Sequence, residues 1–336
     1  MSRDFELGCH WRGVLRSGKT VSVDEQFRMV RDAGVFDYLD RLPAPELLDD
    51  YRRCSEKYGV PMRTGTWYYR LGEDDALLEQ YMRNAAALGL AMHNIMIFTR
   101  HADGHVVSNA EVADCYLRVW ELGDALGVQP SFELHVNMWS EDFRRVVPVA
   151  ELVRARGVPF NFTLDYSHCV FKIENPAEQD ISGIREDVEA GRVVLDPFEP
   201  ESLCRKWLDM GIVVYAQFRP VAPNGPKNIW TKDEQGHPGR GIQYPFLKPA
   251  PGEWHSTWHA WKLEASKEAM RNVLRYHLDH DGSPLRFVTT EMIDLPDYGE
   301  NAKYSIFEHN VACARWIRDS WTRMKAMDRH GIPEVG

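Results

Sequence analysis

The chain has 336 residues, of which 44% are hydrophobic and 27% charged, with a formal net charge of −10 at pH 7. That is a globular composition, long enough to bury a large core as one big α/β domain or two smaller ones. The acidic balance argues against a nucleic-acid backbone as the main partner, because phosphates need a basic footprint, and no run approaches the ~18 apolar residues of a membrane span. Cys9, Cys54, Cys115, Cys169, Cys204 and Cys313 are scattered without a CxxC pair. They read as reduced, buried thiols, and with no apolar leader at the N-terminus the expected location is cytoplasmic.

Strand-like and helical runs alternate from the start. A short strand over 5–10 is followed by helical spacing over 23–33 that stops at Gly34, a good C-cap residue. A second strand over 35–39 leads to a helix from Pro45 to Lys57 closed by Gly59. The third strand, 60–66, runs into the aromatic cluster Trp67-Tyr68-Tyr69, and 74–89 makes the clearest amphipathic helix. The fourth strand, 93–99, precedes the polar loop His101-Ala102-Asp103-Gly104-His105, after which Ser108 and Asn109 cap a helix reaching about Leu126.

The fifth strand, 131–136, carries Glu133 and His135 where apolar residues would be expected. Alternate side chains of a strand share one face, and a buried ionisable group needs a cation or a counter-charge. A helix from Ser140 to about Gly157 and a sixth strand over 159–165 follow. Next come an acidic segment over 173–200, a short helix over 201–210 and a seventh strand over 212–217. A long Pro-, Gly- and Trp-rich loop over 219–261, a helix over 263–280, an eighth strand over 286–291 and a final helix over 301–326 complete the chain.

Eight strands, each followed by a helix, predict an α/β fold: a single (β/α)8 TIM barrel domain over 1–336 with long loops after strands 6 and 7. A doubly wound open sheet competes, but its glycine-rich phosphate loop after the first strand is missing. In a barrel the chemistry lies at the C-terminal strand ends. Those ends hold His10, Trp67, His101, Glu133, His135, Asp165, His168, Gln217, Arg219 and Glu291. Glu133, Asp165, Gln217 and Glu291 come from four consecutive strands. Three carboxylates converging there would repel without a cation. An oxygen-dominated set suits Mn²⁺ best, with Mg²⁺ or Co²⁺ as alternatives. For His135, His10 and Trp67 an ordinary packing role competes with a functional one. The run from Trp254 to Trp261 reads as a packing or subunit interface, or as a lid.

The segments SFELH at the fifth strand, LDYSH at the sixth and TTE at the eighth resemble the xylose isomerase-like barrel superfamily. The resemblance implies metal ligation by Glu133, Asp165 and Glu291, with His168 on the substrate side. Gln217 stands where most epimerases of that group place a metal-binding histidine, and its amide oxygen can serve instead. The separations between positions 165, 217 and 291, about 50 and 70 residues, exceed those of compact epimerases. The implied activity is a metal-dependent carbohydrate isomerase or epimerase that abstracts a proton next to a carbonyl through an enediolate. Glu133, Glu291, His168 and His135 would be catalytic, and His10, Trp67, His101 and Arg219 would bind substrate. One alternative is a lyase eliminating an aglycone from a 3-keto glycoside, like the catalytic subunits of C-glycoside deglycosidases, which need a small partner. Another is a non-catalytic barrel that binds. The expected partner is a small carbohydrate, with a homo-oligomer or a small partner subunit completing the assembly.

Overall fold

The computed structural model describes residues 4–331. Its eight parallel strands are β1 (Glu6–His10), β2 (Tyr38–Asp40), β3 (Thr64–Tyr69), β4 (Met92–Ile97), β5 (Gln129–Glu133), β6 (Phe162–Asp165), β7 (Val213–Phe218) and β8 (Phe287–Thr290). They are ordered β2-β1-β8-β7-β6-β5-β4-β3. The ring closes through a parallel bridge from Leu39 to Met62 and a 2.9 Å bond from Arg41 N–H to the Thr64 carbonyl. This is the expected (β/α)8 barrel.

The outer helices are α1 (Val23–Ala33), α2 (Leu48–Tyr58), α3 (Asp75–Ala87), α4 (Asn109–Leu126), α5 (Val146–Arg154), α6 (Leu203–Asp209), α7 (Glu264–Asp279) and α8 (Ile306–His330). Their ends follow local chemistry. Ser22 caps α1 by accepting from the Glu25 N–H, and Gly34 ends it in the left-handed region at φ 64°. Ser108 and Glu111 form a reciprocal capping box on α4.

Several elements sit elsewhere than the sequence predicts, β2, β3 and α5 among them. β2 begins at Tyr38 rather than 35, because Asp37 is spent on the edge of β1: its carboxylate accepts from the Leu7 N–H at 2.7 Å and pairs with Arg318 at 2.6 Å. β3 starts at Thr64, so Trp67, Tyr68 and Tyr69 lie inside the strand and pair with β4 residues 95–97. After β5, two short 3₁₀ turns delay α5 until Val146. That start puts Pro148 in the first helical turn, where its missing N–H costs nothing, whereas a helix from 140 would bury it mid-helix.

The main core lies between the outer faces of the strands and the helices, with Leu7, Ile95, Phe132, Phe162 and Val288 among its buried members. Inside the barrel, Tyr38, Met92, Val214, Tyr215 and Phe287 form a separate apolar plug. Polar pairs also occupy the interior: Asp40 accepts from Thr64 Oγ1 at 2.8 Å and from Tyr215 O–H at 3.2 Å, and Ser131 bonds Thr163 at 2.7 Å. The six cysteines are free and buried. Among the described residues no helix is long and apolar enough to cross a membrane.

His93 on β4 is fully buried, with Nδ1 2.8 Å from the Gly65 carbonyl and Nε2 2.7 Å from the Tyr69 hydroxyl. Burial drives its pKa down to about 4, below the ~6.5 of an unfolded histidine. The folded state therefore binds fewer protons, so stability held above pH 6.5 is lost as the pH falls toward 4. Denaturant titrations should show His93 removing ~1.4 kcal/mol per pH unit across that window. His93→Gln should flatten the slope by that amount, and an unchanged slope would contradict the assignment.

Candidate active site

Glu133 ends β5, Asp165 ends β6, Gln217 lies one residue from the end of β7, and Glu291 directly follows β8. The parallel register sets Asp165 beside Gln217 and Gln217 beside Thr289, two residues before Glu291. Alternation then turns Tyr215, Gln217 and Arg219 to the same inner face. All four predicted ligands are buried, at 1%, 0%, 3% and 5% exposure in sequence order. Glu133, Asp165 and Glu291 each offer an oxygen, and these lie within 4.8 Å of one another. Both amide atoms of Gln217 are buried without a hydrogen-bond partner.

The positive charge inside this group is Arg219, two residues past Gln217 on the same face. Its Nη2 stands 3.1 Å from Asp165 Oδ2 and 3.0 Å from Glu291 Oε2, and its Nε donates to the Glu291 carbonyl at 2.9 Å. The carboxylate approaches lack hydrogen-bond alignment, so Asp165 Oδ2, Glu291 Oε2 and Arg219 Nη2 count as unsatisfied. Burial and the neighbouring Asp165 push Glu133 well above the usual carboxylate range. Burial also pushes Glu291 up, against the pull of Arg219. For Asp165 burial is outweighed by Arg219 and His168, which hold it below that range. One guanidinium thus secures one of three carboxylates.

Histidines surround the cluster. Glu133, His135 and His168 form a second group whose ligand atoms lie within 4.8 Å of one another. β5 ends at Glu133, so His135 sits in the following turn rather than on the strand. Its Nδ1 is 2.6 Å from the Val136 carbonyl and its Nε2 3.1 Å from the Tyr298 hydroxyl. Burial and the adjacent His168 press its pKa down to about 3. His168 is fully buried, with Nε2 3.1 Å from Asp165 Oδ2. His10, at the end of β1, lies 3.9 Å from Glu291 and is kept neutral by burial and Arg219.

Eight of the ten predicted site residues therefore meet at the mouth: His10, Glu133, His135, Asp165, His168, Gln217, Arg219 and Glu291. The other two do not join them. Trp67 stacks on Tyr81 of α3 at 5.0 Å, leaning into the helix layer. His101 stacks on His105 at 4.7 Å within the loop after β4. Two further residues belong to the site. Asn94 of β4 donates a short hydrogen bond to Glu133. Tyr298, from the loop after β8, lies under the Arg219 guanidinium at 4.1 Å and reaches His135. Asn94 is a polar residue inside an otherwise largely apolar strand, a signal present in the sequence; Tyr298 carries none.

A divalent cation fits the donor set. Three carboxylate oxygens converge, a fourth oxygen on Gln217 is unpartnered, and the charge left after Arg219 is negative. Hard oxygen ligands of this kind suit Mg²⁺ or Mn²⁺. Arg219 competes with such an ion for Asp165 and Glu291.

The long loops are tied together beside the mouth by a buried four-charge cluster. Lys172, after β6, is fully buried with Nζ 3.0 Å from Glu141 Oε1 and 3.7 Å from Glu178 Oε2. Arg240, from the loop after β7, reaches Glu141 at 2.7 Å and Glu178 at 2.6 Å. Burial would raise Glu141, but Lys172 and Arg240 bring it down to about 2. The tryptophans of the β7 loop pack on one another. Trp254 meets Trp230 at 5.6 Å and His255 at 4.1 Å, while Trp261 is exposed.

No protein-family model matches the chain, and no curated protein matches it by sequence. Solved structures match it by shape. D-allulose 3-epimerase from Methylomonas sp. gives a TM-score of 0.55 at 11% identity, over 94% of this chain and 98% of its own. L-ribulose 3-epimerase gives 0.55 at 12% identity, over 99% of this chain and 100% of its own. A xylose isomerase-like TIM barrel protein from Mycobacterium smegmatis, in complex with magnesium, gives 0.55 at 13% identity, over 94% and 98%. At such identities the likeness is one of fold: this chain has the TIM barrel of these structures.

Removing one member of a buried ion-pair network leaves an uncompensated charge. Lys172→Met should cost roughly 3 kcal/mol in denaturant unfolding at pH 7. Charge removal from both sides, in Lys172→Met with Glu141→Gln, should recover part of that loss. A loss under ~1 kcal/mol, the range of a surface pair, would contradict the cluster.

Proposed function

We propose that this protein is a carbohydrate isomerase or epimerase that moves a proton on a carbon next to a carbonyl, with a divalent cation held by Glu133, Asp165, Glu291 and Gln217. The observation that carries this reading is the convergence of three buried carboxylates within 4.8 Å that have a single guanidinium, Arg219, against two of them, Asp165 and Glu291. Mn²⁺ is the preferred ion, on the oxygen-rich ligand set. When bound, the ion supplies Lewis-acid charge at the carbonyl oxygen and a neighbouring hydroxyl.

The chain's own groups supply the rest. Glu133 and Glu291 project from strands separated by β6 and β7, so they can address a substrate carbon from different sides. Epimerisation needs that arrangement, because the proton leaves one face and returns to the other; isomerisation needs a proton carried between adjacent carbons. His168, with Nε2 against Asp165 and Nδ1 in no hydrogen bond, can bond a sugar oxygen through Nδ1. His135, fixed by Val136 and Tyr298, holds its ring 4.4 Å from that of His168 and orients it. Arg219 and His10 bind oxygens on the substrate. Burial of the whole group excludes water, which strengthens every charge interaction inside it.

Loss of a β-substituent after the same proton abstraction would make the enzyme a lyase acting on a 3-keto glycoside. The two reactions differ in product, a rearranged sugar against a released aglycone and an unsaturated sugar. Turnover of ketohexoses, ketopentoses and 3-keto glycosides with Mn²⁺ present should therefore be followed by product analysis. Glu133→Gln and Glu291→Gln should each lower kcat by roughly 10²–10⁴-fold with the fold retained. Full activity in both variants would overturn the proposal.

A further inference from the structure

Away from the barrel mouth, one other group of side chains among the described residues has the chemistry of metal ligands. β4 leads into a turn closed by an antiparallel bridge between Arg100 and Val106. Within it His101, Asp103 and His105 each bring one ligand atom to within 4.8 Å of the others. Asp103 Oδ1 is 3.2 Å from His101 Nδ1 and is hydrogen-bonded to His105 Nδ1. His101 Nδ1 accepts from the Asp103 N–H at 3.3 Å. Its lone pair therefore faces into the turn and its proton is on Nε2.

The turn is also supported from behind. His105 Nε2 lies 2.8 Å from Glu111 Oε1 on the first turn of α4. Glu111 is itself fixed, its Oε2 accepting from the Ser108 N–H at 2.8 Å and from Ser108 Oγ–H at 2.7 Å. The His101 ring rests on Gly72 in the loop after β3, so closely that an added Cβ would stand 2.4 Å from it. Only the small glycine admits the ring there, and the ring is held in place.

We infer that this turn is a divalent transition-metal site, with His101 Nδ1, Asp103 and His105 Nδ1 as ligands and Glu111 orienting His105 through its Nε2–H. Two imidazoles and one carboxylate suit Zn²⁺, Co²⁺ or Ni²⁺ rather than the harder ions of the barrel mouth. A carboxylate behind a ligating histidine fixes its tautomer and ring plane. Binding replaces the hydrogen bond that His101 Nδ1 accepts from the Asp103 N–H, releases the proton that His105 shares with Asp103, and leaves the one directed at Glu111. Because His101 is seated on Gly72, the ion would staple the loops after β3 and β4 at the rim. The inference does not depend on the reaction proposed above.

The test is titration of Co²⁺ and Zn²⁺ into the full chain carrying Glu133→Ala and Glu291→Ala, which disables the barrel mouth. One Co²⁺ per chain should bind, with ligand-field absorption in the visible range. Glu111→Gln should weaken binding by roughly 10–100-fold, and His101→Ala with His105→Ala should abolish it. In the chain with a native barrel mouth, the same two histidine substitutions should lower the Co²⁺ stoichiometry by one. No saturable binding in the carboxylate-deficient chain, or binding unchanged by loss of both histidines, would overturn the inference.

Discussion

Three carboxylates held out of water at one end of a barrel are the constraint on which the site depends. Glu133, Asp165 and Glu291 come from separate strands, so no local rearrangement separates them without breaking the sheet. Arg219 answers part of the charge but lies against Asp165 and Glu291 without hydrogen-bond alignment. Charge of this kind is tolerated only if a proton, a cation or a substrate completes it. The geometry therefore describes a mouth built to accept positive charge.

The fold makes that concentration of charge affordable by closing everything else. Below the carboxylates, Asp40 is satisfied by Thr64 and Tyr215, Ser131 pairs with Thr163, and an apolar plug seals the base. Beside the mouth, Lys172 and Arg240 neutralise Glu141 and Glu178, drawing together the segments after β5, β6 and β7. Long loops become ordered walls because each contributes a member to one ion network. Burial, with Arg219 nearby, leaves His10, His135 and His168 neutral, which suits them to hydrogen bonding with hydroxyls rather than to ion pairing.

Much of this was legible in the sequence, since strand–helix alternation with glycine stops and serine caps survives in a single chain. Glu133, Asp165, Gln217 and Glu291 could be found because a polar residue at the end of an apolar strand violates the expected pattern. What escaped were facts of register and depth. The sequence pattern places Trp67 just past the third strand, but β3 begins four residues later than that pattern and the Trp67 ring packs against Tyr81. His101 belongs to a turn with its own hydrogen bonds. The sequence places Arg219 at the mouth as a substrate group, and its additional reach back to Asp165 shows only once the inner face of β7 is known. Tyr298 comes from an irregular loop, where no periodicity places a side chain.

Metal content is the most direct test of the central claim. The chain carrying His101→Ala and His105→Ala, so that the barrel mouth alone is read, is loaded with Mn²⁺, dialysed and measured by elemental analysis. About one ion per chain is predicted, lost when Glu133→Ala and Glu291→Ala are added. No retained ion, with Mn²⁺ failing to raise the melting temperature even at saturating concentration, would contradict the account. It would mean that Arg219 alone neutralises the mouth.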